Sequence, residues 1–161
     1  MVEGLVSITA FPSRRRFLLP SETLSKELPN LLAKLEASDM SGSEPLEHDH
    51  YIFVCCDAAT DKRCGYCGPR LVDAFEAAVA KREDSKRIKV VRTSHVGGHK
   101  FAGNVIAFPA GDWFGYVTPE RVDDILRASV DALNQSGRPE ILPDLWRGRL
   151  GLSKEEVLGA V

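Results

Sequence analysis

Tyr51-Ile52-Phe53-Val54-Cys55 is a short run of β-forming apolar residues bounded by polar sequence, and it predicts a buried strand. A polar loop follows from Asp57 to Arg63. Pro69 then suits the first turn of a helix, where its missing N–H costs nothing. Leu71, Val72, Phe75 and Val79 mark one apolar stripe beyond it. The charged stretch Lys81 to Lys86 ends that helix, and Ile88-Lys89-Val90-Val91 predicts the next strand, finishing at Ser94. Gly97 and Gly98 force a turn. Gly103 to Phe108 and Trp113 to Val117 predict a strand pair joined around Pro109-Ala110-Gly111-Asp112. Thr118-Pro119-Glu120 opens a helix with Val122, Ile125, Leu126, Val130 and Leu133 inward, and Gly137 lies just past its end.

The order is therefore strand, helix, strand, long turn, two strands, helix. One crossover strand–helix–strand unit followed by a hairpin and a covering helix is the plan of a thioredoxin-like α/β domain, with a central mixed sheet and flanking helices. That plan puts the cysteine loop at the carboxyl end of a strand and the amino end of a helix. Free N–H groups and the helix dipole favour thiolates and anionic groups there.

On the amino-terminal side, Ser21 reads as an N-cap, and Leu24, Leu28, Leu31, Leu32 and Leu35 recur at helical spacing. Pro29 interrupts them, which predicts two short helical pieces or one kinked helix. Residues 38–50 read as a polar linker. Arg14-Arg15-Arg16 in an acid-poor stretch resembles a mitochondrial or plastid transit peptide. An irregular arm docked through Phe17, Leu18 and Leu19 accounts for the same residues. The tail is punctuated by proline, with a last helix at Ser153–Leu158. The expected division is an arm with a helical extension over 1–50, a domain over 51–137, and a tail packing on it over 138–161.

A chain of 161 residues makes one ordinary domain, and its 43% hydrophobic and 27% charged composition is that of a globular protein. Twenty-one Lys plus Arg against 23 Asp plus Glu give a net charge of −2, which speaks against a nucleic-acid partner. No apolar run approaches the roughly 18 residues of a membrane span, so no membrane insertion is expected. No signal-peptide pattern precedes the cysteines. The expected location is intracellular, in the cytoplasm or the mitochondrial matrix, with the plastid as a third compartment. All 4 cysteines lie between Cys55 and Cys67, too crowded to staple distant parts of a fold. Clustered cysteines in such a setting point to a metal site or to thiol chemistry.

Three arrangements use those cysteines and His95-Val96-Gly97-Gly98-His99. Cys64 and Cys67 with His95 and His99 have zinc-ligand spacings, although a full helix and strand separate the two pairs. Cys64-Gly65-Tyr66-Cys67 before a helix reads as a redox dithiol, although only Pro109 offers itself as the facing cis-proline. Cys55 and Cys64 with His95 and His99 can surround a binuclear iron–sulfur cluster, two thiolates on one iron and two imidazoles on the other. Spacing leaves the first and third level.

The run Cys55-x8-Cys64-Gly65 with Asp61-Lys62-Arg63 ahead of it, then Ser94-His95-Val96-Gly97-Gly98-His99-Lys100-Phe101-Ala102-Gly103-Asn104, resembles the sucrase/ferredoxin-like family. Trp113-Phe114-Gly115-Tyr116-Val117-Thr118-Pro119 and Leu145-Trp146-Arg147-Gly148 are similar to it as well, so the resemblance covers roughly residues 50–152. It implies a thioredoxin-like ferredoxin holding a 2Fe–2S cluster, with Cys55 and Cys64 on one iron and His95 and His99 on the other. It further implies a one-electron carrier whose partner is a redox protein or a larger redox complex. The family commonly has Ser or Thr and then His after the first cysteine, and an Arg before Asp-Lys-Arg-Cys. Here Cys56, Asp57 and Thr60 stand at those places. Cys56 thereby becomes a substitute ligand to consider.

Lys62 and Arg63 either offset cluster charge or form a solvated loop. Asn104 either supports the histidine loop by hydrogen bonding or is an ordinary turn residue. His48 and His50 are expected to be solvated in the linker, and Trp113 and Trp146 to serve packing. No carboxylate pair supports a glycosidase site, whatever the family label says.

Overall fold

The computed structural model describes residues 4–136 and 139–159, so the expected helix stop at Gly137 lies outside the described residues. The chain forms two compact units, Met1–Glu47 and His48–Val161.

In the first unit, β1 (Leu5–Ala10) and β2 (Arg15–Pro20) pair antiparallel, from Leu5 opposite Pro20 to Ala10 opposite Arg15. The short β3 (Glu44–Pro45) adds to β2. Arg15 and Arg16 thus lie in a strand, after Arg14 in the turn, and not in an irregular arm. Arg16 pairs with Glu44 across the sheet at 2.6 Å, and Arg15 Nε donates to the Ser43 hydroxyl at 2.8 Å. Helix α1 (Leu24–Glu36) runs through Pro29 as one element and buries Leu31.

The second unit is built on β4 (His50–Cys55), α2 (Lys62–Ala80) and β5 (Ile88–Thr93). They form the expected crossover, because β4 and β5 are parallel, with Cys55 opposite Thr93. β6 (Val105–Phe108) runs antiparallel to β4, β7 (Asp112–Phe114) to β6, and β8 (Trp146–Arg149) to β7, giving the order β5-β4-β6-β7-β8. This is the thioredoxin-like mixed sheet with its flanking helices. Ile52 and Val54 of β4 pack with Leu71, Val72, Phe75 and Val79 of α2, and with Val105 and Ala107 of β6. A central strand covered by neighbours reads as a nearly unbroken apolar run, which is why its sequence is so legible. Each of these valines, leucines, isoleucines and phenylalanines contributes about 1.5–3 kcal/mol by leaving water.

Four details depart from the sequence expectation. Helix α2 begins at Lys62, not at Pro69, because the Asp61 carboxylate caps it, accepting the Arg63 N–H at 2.8 Å. After Thr118 the chain makes a 3-10 turn (Pro119–Arg121) and α3 (Val122–Leu126), then a π-helical turn (Arg127–Asp131) and α4 (Ala132–Ser136). Residues beyond 138 are not merely a tail lying on the domain, since β8 is a strand of the sheet. It is followed by α5 (Lys154–Gly159). Finally, His50 is no solvated linker residue but part of β4, only 3% exposed, with Nε2 3.2 Å from Asn134 Oδ1. His48 lies edge-on to the Tyr51 ring.

Candidate metal centre

Cys55 and the start of the His95–His99 loop lie at the carboxyl ends of β4 and β5. Cys55 closes β4, and its N–H donates to the Asn104 carbonyl at 3.0 Å, just before β6. The Asp61 cap sets the first turn of α2 so that Cys64 turns back onto Cys55. Both are 1% exposed, and their thiols share a hydrogen bond. Gly65 and Gly68 make this approach possible. A Cβ on Gly68 would sit 2.3 Å from the Cys55 carbonyl oxygen, and one on Gly65 would sit 2.4 Å from the Ala58 Cβ. Only glycine lets the helix lie so close.

Burial pushes the Cys64 thiol up to about 11, helped by Cys55 and by Asp61 and opposed by a hydrogen bond from Asn104. The unloaded Cys64 thiol is therefore neutral, and a metal binding to it displaces its proton. The Cys56 side chain takes a different direction, towards Gly68, where burial raises its thiol against the lowering effect of Arg92. It does not substitute for Cys55 in the pair. Cys67 lies half-buried on α2, three residues after Cys64, while the thiol that Cys64 engages is that of Cys55. The dithiol reading also loses its facing proline. Pro109 does follow a cis peptide bond, but it stands at the far end of β6, where Phe108 pairs with Tyr51 rather than near Cys55.

The histidine loop leaves β5 at the same pole. His95 is exposed, and its charge helps to hold the Asp57 carboxyl low, after hydrogen bonds from Thr60 and Ala59. Gly97 and Gly98 have φ of 88° and 57° and lie against the Trp113 ring. His99 opens a 3-10 turn, His99–Phe101, and its side chain is outside the described residues. Among the described residues, no three His, Cys, Asp or Glu side chains gather as a metal-binding group. The structure thus joins Cys55 to Cys64, and brings the backbone of the His95–His99 loop to the same end of the sheet.

The neighbours of the loop were only partly legible. Asn104 is fully buried, and its side chain contacts Gly98, Trp113 and Cys64. Outside the loop, Phe101 and Tyr116 meet edge to face at 5.4 Å, and the Arg147 guanidinium lies 5.1 and 5.2 Å from their rings. Their common signal is the run Trp113-Phe114-Gly115-Tyr116: a Cβ on Gly115 would meet the Phe101 Cβ at 2.6 Å. Arg63 is paired bidentately with Asp61, at 2.7 and 3.1 Å. Tyr66, 62% exposed, carries the Arg70 guanidinium 3.7 Å from its ring centre.

A family model described as sucrase/ferredoxin-like matches residues 6–148. Altered inheritance of mitochondria protein 32 of Meyerozyma guilliermondii is 32% identical over 141 residues, covering 83% of this chain and 48% of that protein. Its counterpart in Debaryomyces hansenii is 38% identical over 104 residues, 62% of this chain and 35% of that protein. The chain thus spans about half or less of the curated relatives it matches. Among solved structures, a thioredoxin-like [2Fe–2S] ferredoxin from Aquifex aeolicus superposes with a TM-score of 0.51 at 19% identity, over 65% of this chain and 94% of that one. At that identity the likeness shows the fold.

One expectation is overturned by these findings. The relatives carry a name drawn from the inheritance of mitochondria, not from electron carriage, and the ferredoxin likeness is one of shape. The one-electron ferredoxin-type carrier does not stand. Neither do its two substitutes, the zinc-stabilised module and the thiol–disulfide oxidoreductase. Cys67 does not join Cys64, and a thiol raised to about 11 is the opposite of the lowered one that exchange chemistry uses.

Proposed function

Because the chain belongs to the sucrase/ferredoxin-like family, we propose that its second unit is the cofactor-holding part of a protein that works in mitochondria. The cofactor is a 2Fe–2S cluster, with Cys55 and Cys64 on one iron and His95 and His99 on the other. The buried Cys55–Cys64 thiol pair is the single observation that carries this reading. Two sulfurs in hydrogen-bond contact, shielded from water beneath a donor amide, suit a soft metal bound to sulfide. The His-Val-Gly-Gly-His loop at the same pole offers nitrogen donors for the other half. The Aquifex aeolicus protein of this shape is named a [2Fe–2S] ferredoxin, which supports the same choice. When bound, the cluster supplies redox chemistry; the residues of this chain hold it, exclude water and donate hydrogen bonds to its sulfur ligands. The mitochondrial setting rests on the relatives' names, and no helix among the described residues is long and apolar enough to cross a membrane. A protein partner or larger assembly belongs to the proposal too, meeting the exposed Tyr66 and Tyr116.

Anaerobic purification with iron and sulfide supplied tests this reading. It predicts a coloured protein with about two iron and two acid-labile sulfide per chain. Cys64→Ser loses that colour, and Cys67→Ser keeps it. A colourless protein holding zinc, or equal loss in both variants, contradicts the assignment.

A further inference from the structure

Asn104 is held on every side. It follows Gly103, whose φ is 85° and where a Cβ would meet the Val117 carbonyl oxygen at 2.5 Å, so the approach to β6 is a turn that only glycine makes. The Asn104 backbone carbonyl accepts the Cys55 N–H at 3.0 Å. Its side-chain oxygen accepts the Trp113 indole N–H at 3.2 Å. Its amide nitrogen donates to the Gly98 carbonyl at 3.1 Å, and the side chain also hydrogen-bonds the Cys64 sulfur. One residue thus touches the first thiol's strand, the second thiol and the histidine loop.

The indole settles which way the amide faces. Trp Nε1–H can only donate, so the atom opposite it must be the oxygen. Both amide N–H groups then point at acceptors, the Gly98 carbonyl and the Cys64 sulfur. A flipped amide would set donor against donor at Trp113, and oxygen against oxygen at Gly98. Inside a water-excluded site neither clash is relieved by solvent, so the orientation is fixed by its neighbours. Gly97 and Gly98 complete the arrangement from the other side. A Cβ on Gly98 would stand 3.0 Å from the Trp113 ring, so the ring is a floor on which the loop lies.

We propose that Asn104 is the positioning residue of the centre, holding the 95–99 loop in register with the Cys55–Cys64 pair, and that Trp113 is the lock on its orientation. The inference rests on the reading of this pole as a metal–sulfur site, which it deepens. Asn104 ties the two ligand segments before any metal arrives, so the histidine half is presented to the thiol half as one piece. On a loaded centre the same N–H lies against a thiolate ligand, the kind of contact that tunes a bound metal.

Hydrogen–deuterium exchange on the unloaded chain separates this role from that of a plain turn residue. Asn104→Asp keeps the shape and the acceptor for Trp113 but removes both donors. Trp113→Phe keeps Asn104 and removes the lock. Exchange across residues 95–101 should rise about fivefold to tenfold in both variants, the effect of losing one hydrogen bond, while β4 and β6 are unchanged. Should Asn104→Asp fail to fold, Asn104→Ala, which removes the same donors without adding a charge and leaves the Trp113 floor in place, decides. Unchanged exchange in the loop, or an equal rise over the whole second unit, overturns the proposal. Iron and sulfide uptake is measured in parallel. A wild-type chain that takes up neither defeats the reading of the site, whereas the loop contrast still decides the role of Asn104. If the wild type does load, both variants should release iron faster and show a shifted visible spectrum.

Discussion

Trp146 donates its indole N–H to Oδ1 of Asp112 at 2.8 Å, and this bond joins the last strand of the sheet to its neighbour. Asp112 is fully buried, and Arg149 closes round it from β8 with contacts at 3.0 and 3.3 Å. The carboxylate is therefore satisfied three times over, and removing it strands an indole N–H and most of a guanidinium.

Asp112→Ala should accordingly cost about 3 kcal/mol, a loss set by the unpaired groups it leaves and not by the side chain removed. Trp146→Phe removes a single donor and should cost less. Urea unfolding of both variants checks this. Equal midpoints for wild type and Asp112→Ala would mean that β8 is not anchored through this residue.

The close approach of α2 to the cysteine strand gives a second expectation. Gly68→Ala places a methyl 2.3 Å from the Cys55 carbonyl oxygen and 2.8 Å from both the Cys56 Cα and its Sγ, and the two backbone atoms cannot yield as a side chain can. The helix must shift, at a cost of about 1–3 kcal/mol, and the thiols part. Iron retention should fall together with stability. Ala at Gly159, which meets nothing within 4 Å, is the control and should be silent.

How much of this was legible in the sequence follows from the same elements. The order of β4, α2, β5, β6 and β7 was readable because each is an apolar run or stripe bounded by turn residues, and Cys55 was placed correctly at a strand end. The start of α2 was not, because Pro69 gives a local start signal, whereas the Asp61 cap and the tolerance of Gly65 and Gly68 depend on contact with Cys55 and Ala58. β8 was missed because Trp-Arg-Gly-Arg has no run of β-formers. It is a strand through pairing with β7 and through Asp112. At the site, spacing left Cys64 with Cys67 level with Cys55 and Cys64, and the family resemblance alone chose the latter pair; nothing local shows that Asn104 reaches Gly98, Trp113 and Cys64 together.

His50 gives the pH expectation. Burial lowers its pKa below the ordinary 6.5, against the raising effects of the Asn134 hydrogen bond, Asp49 and Asp84, while Arg87 lowers it further. The folded chain holds the ring neutral, and among the described residues Nδ1 has no hydrogen-bond partner. Between the folded pKa and about 6.5 the unfolded chain binds more protons. The contribution of His50 to stability is therefore full above about 6.5 and is lost as pH falls through that value towards the folded pKa. His50→Gln should flatten this acid limb in urea unfolding series from about pH 7.5 to 5. An unchanged slope in the variant would place the acid sensitivity elsewhere.

The central claim is that one iron is held by Cys55 and Cys64 and the other by His95 and His99, and Mössbauer spectroscopy of the anaerobically loaded protein tests it most directly. Sulfur-only and nitrogen-containing ligation give two irons in one cluster different electric fields. The account predicts two distinct ferric quadrupole doublets of equal area, collapsing together in Cys64→Ser. A single doublet from equivalent irons, or a protein that retains no iron, would contradict it.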